Sequence, residues 1–258
     1  MEGHGLQPLF CRVGTKKTLV DKILQLIPDH KLYVETMVGG GAVFWNKSSA
    51  EKSIINDLDK DLIKSYRILK KADKDAVLSY IPVSETESVE TRVKKIQAFV
   101  DKKPLNEYEQ MLQYLYTACN TFGTLGKGKI FKESIQKNKI RRLEEYQEML
   151  KNTTILSQDY KSVIKKYDAP STFFFIDPPY EVSKGLYKAF TFDFEELRDI
   201  LSKIKGTFML TLNDSPNIRS IFREFNIKSV VVPAGSKTYG NVGATDRKEV
   251  IIMNYNIR

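Results

Sequence analysis

Two histidines, His4 and His30, and two cysteines, Cys11 and Cys119, are all that the 258-residue chain holds of either type. So little imidazole and thiol leaves almost no material for a histidine-based zinc site or a Ser-His-Asp triad. The cysteines stand far apart in sequence and outside any metal-ligand spacing, so no disulfide framework is expected, as suits a reducing compartment. No apolar run reaches membrane-spanning length, and the N-terminal stretch lacks the apolar core of a secretory signal. Glu2 stands where N-myristoylation requires glycine. These absences predict a soluble cytoplasmic protein with no membrane partner. What the chain has in excess is positive charge: 41 Lys and Arg against 32 Asp and Glu, a formal net charge of +9. That balance favours a polyanionic partner, although a basic composition alone also fits a protein that binds none. With 41% hydrophobic residues the chain can bury one substantial core, with room for a small appended domain.

Leu19, Ile23, Leu26 and Ile27 repeat at helical spacing before Pro28. A short strand over 32–34 then runs into Gly39-Gly40-Gly41, with a helix expected from 42–45. A second strand over 53–55 ends in Asn56-Asp57, followed by an amphipathic helix over 60–69. From 70 to 150 strand signals vanish and helices dominate, around 88–100, 106–121 and 140–150; a polar, Gly- and Lys-rich stretch occupies 122–139. Strand and helix alternate again afterwards: strands over 154–156, 172–176 and 208–212, helices over 161–167, 194–204 and 218–225. An antiparallel hairpin over 229–232 and 249–255 ends the series. Alternation of this kind predicts a mainly parallel sheet, hence one α/β domain interrupted by a helical insertion.

The sharpest local feature is Phe173-Phe174-Phe175-Ile176-Asp177-Pro178-Pro179-Tyr180. An apolar strand delivers a carboxylate to its C-terminal end, where open α/β sheets bind ligands. Two prolines stiffen the turn and remove N–H donors, leaving carbonyl oxygens as acceptors. A planar base bearing an amino group suits this set: its ring stacks on Tyr180 while its NH2 donates to Asp177 and the Pro178 carbonyl. The plainer reading is a tight turn after a strand. Glu35-Thr36-Met37-Val38-Gly39-Gly40-Gly41 has the strand-glycine-helix layout that lets backbone approach a ligand, or that merely makes a turn. It lacks the G-x-G-x-x-G spacing and any P-loop lysine. Asp57, at the end of the next strand, stands where nucleoside-binding α/β folds place a ribose-binding acid; Asp59 and Asp61 read as helix N-terminal charges.

In combination and order these segments resemble the Dam-type, alpha-group adenine-N6 DNA methyltransferases. The likeness covers most of the chain and is weakest over 70–106. Pro8-Leu9-Phe10-Cys11-Arg12-Val13-Gly14-Thr15-Lys16 resembles the family's opening motif, with Thr15 in place of a glycine, and Thr36-Met37 stands where Pro-Phe is usual. The resemblance implies a Rossmann-like, S-adenosylmethionine-dependent methyltransferase fold with a mixed sheet and a terminal antiparallel hairpin. It places the catalytic domain in 1–69 and 151–258 and a helical target-recognition insertion in 70–150. It implies S-adenosylmethionine as cofactor, S-adenosylhomocysteine as product, and no metal. Arg12, Lys16 (near the methionine carboxylate), Glu35, Met37 (against the adenine, by its thioether), Gly39, Gly40, Asp57, Asp159, Tyr160 and Asp177 become the cofactor residues. Asp177, Pro178, Pro179 and Tyr180 become the catalytic ones. The implied reaction is in-line attack by N6 of a flipped adenine, with acceleration from positioning and hydrogen-bond polarisation. An RNA adenine methyltransferase and a catalytically silent DNA-binding protein of the same fold are the competing readings.

Double-stranded DNA is the implied partner, with no obligate protein partner. Asn120, in Asn120-Thr121-Phe122-Gly123, reads either as a base contact or as a helix cap. Lys127, Lys129, Lys132, Lys137, Lys139, Arg141 and Arg142 gather charge that suits phosphate, or a solvated basic loop. Lys237, Tyr239, Asn241 and Arg247 belong to a second segment implied to contact DNA, with Tyr239 as wedge or stacking residue; an ordinary polar hairpin tip is the alternative. Replacing Lys127 and Lys129 together by alanine is expected to lower DNA affinity and flatten its dependence on salt. A titration across salt concentrations checks this; an unchanged slope removes the loop from the interface.

Overall fold

A computed structural model of the chain describes residues 5–12, 16, 19–48, 50–121, 129–130, 136–180, 192–232 and 246–256. Two compact units emerge: Met1–Thr15, Val38–Ser49 and Asp57–Ser157 form the first, and Lys16–Met37, Ala50–Asn56 and Gln158–Arg258 the second.

The second unit carries helices α1 (Val20–Leu24), α8 (Tyr160–Tyr167), α9 (Phe194–Leu201) and α10 (Pro216–Ile221). Its strands are β1 (Leu32–Glu35), β2 (Lys52–Asn56), β4 (Thr172–Ile176), β5 (Thr207–Asn213), β6 (Asn226–Val232) and β7 (Arg247–Met253). These six strands follow the order β2-β1-β4-β5-β7-β6. The first four are parallel, and β7 reverses, antiparallel to both β5 and β6. This is the mixed α/β sheet with a reversed terminal hairpin anticipated from the sequence. All five residues of β4 are buried, the signature of a central parallel strand with both faces covered. The core gathers on it, with Phe173 beside Tyr33 at 5.9 Å between ring centroids, and Phe174, Phe208 and Met209 fully buried. Helix starts are fixed by side-chain caps: Asp193 for α9, and Ser215 ahead of Pro216 for α10.

The first unit holds α2 (Lys60–Leu69), α3 (Lys74–Ser79), α4 (Val89–Asp101), α5 (Glu107–Asn120), α6 (Lys137–Arg141), α7 (Leu143–Leu150) and strand β3 (Thr153–Leu156). Its core is aromatic: Trp45 packs edge-on against Tyr146 at 5.0 Å, and Phe10 against Tyr66 at 5.1 Å. Asp59, Asp73, Ser88 and Asn106 cap α2 to α5 in turn.

Three readings are corrected. The helix expected from 42–45 is a single turn, Trp45 N–H to Gly41 O and Lys47 N–H to Val43 O, because Asn46 folds its amide back onto the Ala42 carbonyl and Leu6 O. Cys11 and Cys119 form a disulfide across 108 residues, their Cα atoms 4.9 Å apart. Sequence distance hid this because the N-terminal segment is held within the unit, by Tyr146 Oη donating to Gln7 O and Lys139 Nζ to Pro8 O. Lys139 is half-buried there, and Arg142 makes a two-pronged surface pair with Glu145 at 2.7 Å. The segment over 74–79, unassigned from sequence, is helix α3. Among the described residues no helix is long and apolar enough to cross a membrane.

Gly206 marks a close approach in the second unit. The Asp168 carboxylate accepts the N–H groups of Lys205 and Gly206, drawing that backbone in until a Cβ on residue 206 would stand 2.5 Å from Thr172 O and 2.9 Å from Ala169 O. Gly206→Ala is expected to destabilise the fold by about 1–3 kcal/mol through overpacking. Chemical denaturation checks it, and an unchanged midpoint contradicts it.

Candidate active site

The second unit presents its polar side chains at the C-terminal ends of parallel strands, the ligand-binding edge of this class of sheet. Glu35 closes β1, Asn56 closes β2, Asp177 follows β4, and Asn213 closes β5. Apolar interiors and polar last residues in the same strands give the sheet a dry body and a reactive rim.

Asp177 is the best-held group on that rim. Lys16, only 5% exposed, sets its Nζ 2.6 Å from Oδ1 and 2.8 Å from Oδ2. Thr211, wholly buried on β5, donates its hydroxyl to Oδ1 at 2.8 Å. Lys16 Nζ also lies 4.6 Å from the centroid of the Tyr180 ring, a cation–π contact. The Tyr180 hydroxyl donates to Glu249 Oε2 at 2.6 Å. Burial, then the charges of Asp177 and Glu249, push the Tyr180 phenol far above its ordinary range. It therefore stays protonated at any working pH and cannot serve as a general base. Pro178 is buried and Pro179 half-buried.

Glu35 is buried and accepts the Tyr33 hydroxyl at 2.6 Å; burial first, then that carboxylate, raises the Tyr33 phenol well above normal. Asn56 ties two loops together, its amide donating to Thr36 O and Gln158 O at 2.9 Å while its oxygen accepts Gln158 N–H. Asp159 is exposed and caps α8 through Lys161 N–H, whereas Tyr160 is buried with its ring 5.4 Å from Phe192. Met37 is half-buried. Arg247 opens β7, is exposed, and lies close enough to Tyr180 for its charge to oppose the rise of the phenol.

A separate network forms in the first unit. Gly39 takes φ +47° and Gly41 φ +70°, left-handed values that glycine adopts freely. At Gly41 a Cβ would also meet Trp45 Nε1 at 3.0 Å. Gly39 N–H donates to Asp57 Oδ2 at 2.9 Å, and Asp59 N–H to Asp57 Oδ1 at 3.0 Å. Gly40 is buried and its carbonyl accepts the indole N–H of Trp45. Asp59 in turn caps α2 and receives both the Arg12 guanidinium and the Tyr114 hydroxyl on Oδ2. Burial works against the charge on Arg12, but Tyr114, Asp59 and Asp57 outweigh it and raise its pKa. Burial lifts the Asp57 carboxyl above the ordinary aspartate value, against the two backbone donors and Arg12, which lower it.

Asp177 and Tyr180 are thus brought together, with Lys16 on both; Arg12 and Asp57 meet through Asp59. Asn120 is the fully buried last residue of α5 with neither amide atom hydrogen-bonded, so it caps nothing. Lys129 is exposed. Lys127, Lys132, Lys237, Tyr239 and Asn241 lie outside the described residues. Thr211, Asn213 and Glu249 were not singled out from sequence. Thr211 reads as an ordinary β-branched strand residue, but Glu249 had a signal, a lone acid opening the apolar run Val250-Ile251-Ile252-Met253.

Comparison with known proteins places the chain among relatives. The chain is 26% identical to the Type II methyltransferase M.MjaIII of Methanocaldococcus jannaschii, over 97% of this chain and 99% of that one. It is also 26% identical to the Type II methyltransferase M1.LlaDCHI of Lactococcus lactis subsp. cremoris, over 97% and 96% of the two chains. Identity with the Type II methyltransferase M.CviBI of Paramecium bursaria Chlorella virus NC1A is 23%, over 84% and 86%. Residues 13–232 match the profile of the D12 class of N6 adenine-specific DNA methyltransferases, and the chain belongs to that family.

Proposed function

We propose that this protein transfers a methyl group from S-adenosylmethionine to N6 of an adenine flipped out of double-stranded DNA at a specific sequence, as a Dam-type, alpha-group enzyme. The observation that carries the reading is Asp177, fixed at the end of β4 by Lys16 and Thr211 with the Tyr180 ring alongside. A carboxylate offers about four acceptor positions. Thr211 and Lys16 occupy those of Oδ1, and Lys16 occupies one on Oδ2, which leaves a position on Oδ2 for one hydrogen of an amine. The Pro178 carbonyl is proposed to take the other. An amine that donates both hydrogens keeps its lone pair out of conjugation with the ring, which makes the nitrogen a better nucleophile. Tyr180 contributes its face to stacking, and stacking offsets part of the few kcal/mol that flipping costs.

S-Adenosylmethionine, when bound, supplies an electrophilic sulfonium methyl. The residues fit such a group. Asp57 has two of its roughly four acceptor positions filled by backbone N–H, leaving two for a pair of ribose hydroxyls. We assign Glu35, Met37, Gly39, Gly40, Asp159 and Tyr160 to cofactor binding with it. Arg12 orients Asp57 through Asp59. Lys16, whose ammonium lies on Asp177 here, is assigned to holding that carboxylate in place and to meeting the cofactor's carboxylate. The catalytic domain is proposed as 1–69 and 151–258 and the DNA-recognition insertion as 70–150. Lys127, Lys129, Lys132, Lys237, Tyr239, Asn241 and Arg247 are proposed to contact DNA; Asn120, expected among them from sequence, is fully buried in this structure and is not offered to it.

Incubation with labelled cofactor and unmethylated duplex DNA, followed by mapping of modified adenines, tests the reading; label in matched RNA alone would overturn it. Asp177→Ala is expected to cut kcat by about 10²–10³-fold or more while cofactor binding stays measurable by calorimetry. Near-normal turnover in that variant contradicts the assignment. Because the Asp57 carboxyl sits above the ordinary value of 3.8, its charge is lost earlier on acidification. Cofactor affinity should therefore weaken as pH falls toward that range, and Asp57→Asn should bind weakly with the dependence gone. Tight, pH-dependent binding by the variant would remove Asp57 from the site.

A further inference from the structure

We propose that Glu249 is a positioning residue for methyl transfer: its carboxylate anchors the Tyr180 phenol and so holds the ring against which the flipped base stacks. The inference rests on the methyltransferase reading and deepens it. Strand β7 begins with the exposed Arg247 and Lys248 and is apolar from Val250 to Met253, yet Glu249 between them is a carboxylate only 6% exposed. Burying a charge is unfavourable unless a strong partner meets it. The partner is the Tyr180 hydroxyl at 2.6 Å, a charge-assisted contact of the short kind.

Register shows why this acid reaches the site. Glu249 stands directly opposite Asn213 on β5, and Thr211 lies two residues back along β5 on the same face. Thr211 donates to Asp177 and Glu249 accepts from Tyr180, so neighbouring strands hold the two ends of the Asp-Pro-Pro-Tyr segment. That segment needs external holds because β4 ends at Ile176. A hydrogen bond at the para oxygen fixes the axis of the ring, and the Lys16 ammonium, 4.6 Å from the centroid, marks one of its faces. With its hydroxyl committed to Glu249, Tyr180 meets the base through its π face. Asn213 Oδ1, in the residue paired with Glu249, is buried with no hydrogen-bond partner, a second acceptor along this wall that a bound amine could satisfy.

The test uses the full chain and duplex DNA whose modified adenines have been mapped. Glu249→Gln, Tyr180→Phe and the double variant are compared for kcat, for KM of the cofactor, and for the fluorescence of 2-aminopurine placed at the target base. Glu249→Gln should lower kcat by about 10–100-fold, as small misplacements of reacting groups do. Its cofactor KM should stay within about twofold and its circular dichroism should be that of the wild type. The double variant should be no slower than the slower single variant, because both changes weaken the same contact, one by removing the charge of the acceptor and the other by removing the hydroxyl. A wild-type kcat in folded Glu249→Gln overturns the proposal, as do losses that multiply in the double variant. A defect confined to cofactor KM does the same. If Glu249→Gln does not fold, Tyr180→Phe decides: unchanged kcat and unchanged 2-aminopurine signal overturn the anchor, and loss of both supports it. A wild-type protein that methylates no duplex adenine fails at the earlier step and sinks the underlying reading instead.

Discussion

A nearly buried ammonium on a strand-end carboxylate is the contact on which the rest of the site depends. Lys16 is 5% exposed and meets both oxygens of Asp177. Neither charge tolerates burial alone, and removing one partner of such a pair leaves the other uncompensated at about 3–5 kcal/mol. The pair therefore fixes Asp177 in place and leaves one acceptor position on Oδ2 open. Lys16 also lies against the Tyr180 ring, so one cation touches both the acceptor and the stacking surface. Thr211 and Glu249, from the two strands beyond β4, hold the segment at its ends.

In the first unit Asp59 has a comparable role by different means. It caps α2, receives Arg12 and Tyr114, and gives its own N–H to Asp57, so the start of a helix orients the acid assigned to the cofactor ribose. The Cys11–Cys119 disulfide flanks this network, one cysteine preceding Arg12 in the chain and the other following Tyr114 on α5. The glycine turn reports to the same acid through Gly39 N–H.

Much of the fold was legible because its strands follow simple rules. The apolar run over 172–176 could only be a buried strand once prolines bounded it, and the 3.6-residue period over 60–69 gave α2 to the residue. The reversed terminal strand followed from two β-rich runs joined by a turn-rich connection. Asp177 and Tyr180 were legible from a motif, and Asp57 from its place after β2. What stayed hidden depends on which strands become neighbours. Thr211 and Glu249 matter because β5 lies beside β4 and β7 beside β5, and local pattern carries no trace of that pairing. The disulfide was missed for the same reason, since a separation of 108 residues says nothing about distance in space. Lys139 and Arg142 looked like phosphate ligands in composition, and local pattern gave no sign of the partners they take in the fold, Pro8 O and Glu145.

The most direct test of the Asp177 socket is a crystal structure of the protein with cognate duplex DNA and S-adenosylhomocysteine. We expect the extruded adenine to lie on the Tyr180 ring with N6 within about 3 Å of Asp177 Oδ2, a hydrogen-bond distance. An extruded adenine bound elsewhere, or one whose N6 contacts neither Asp177 nor the Pro178 carbonyl, would contradict it.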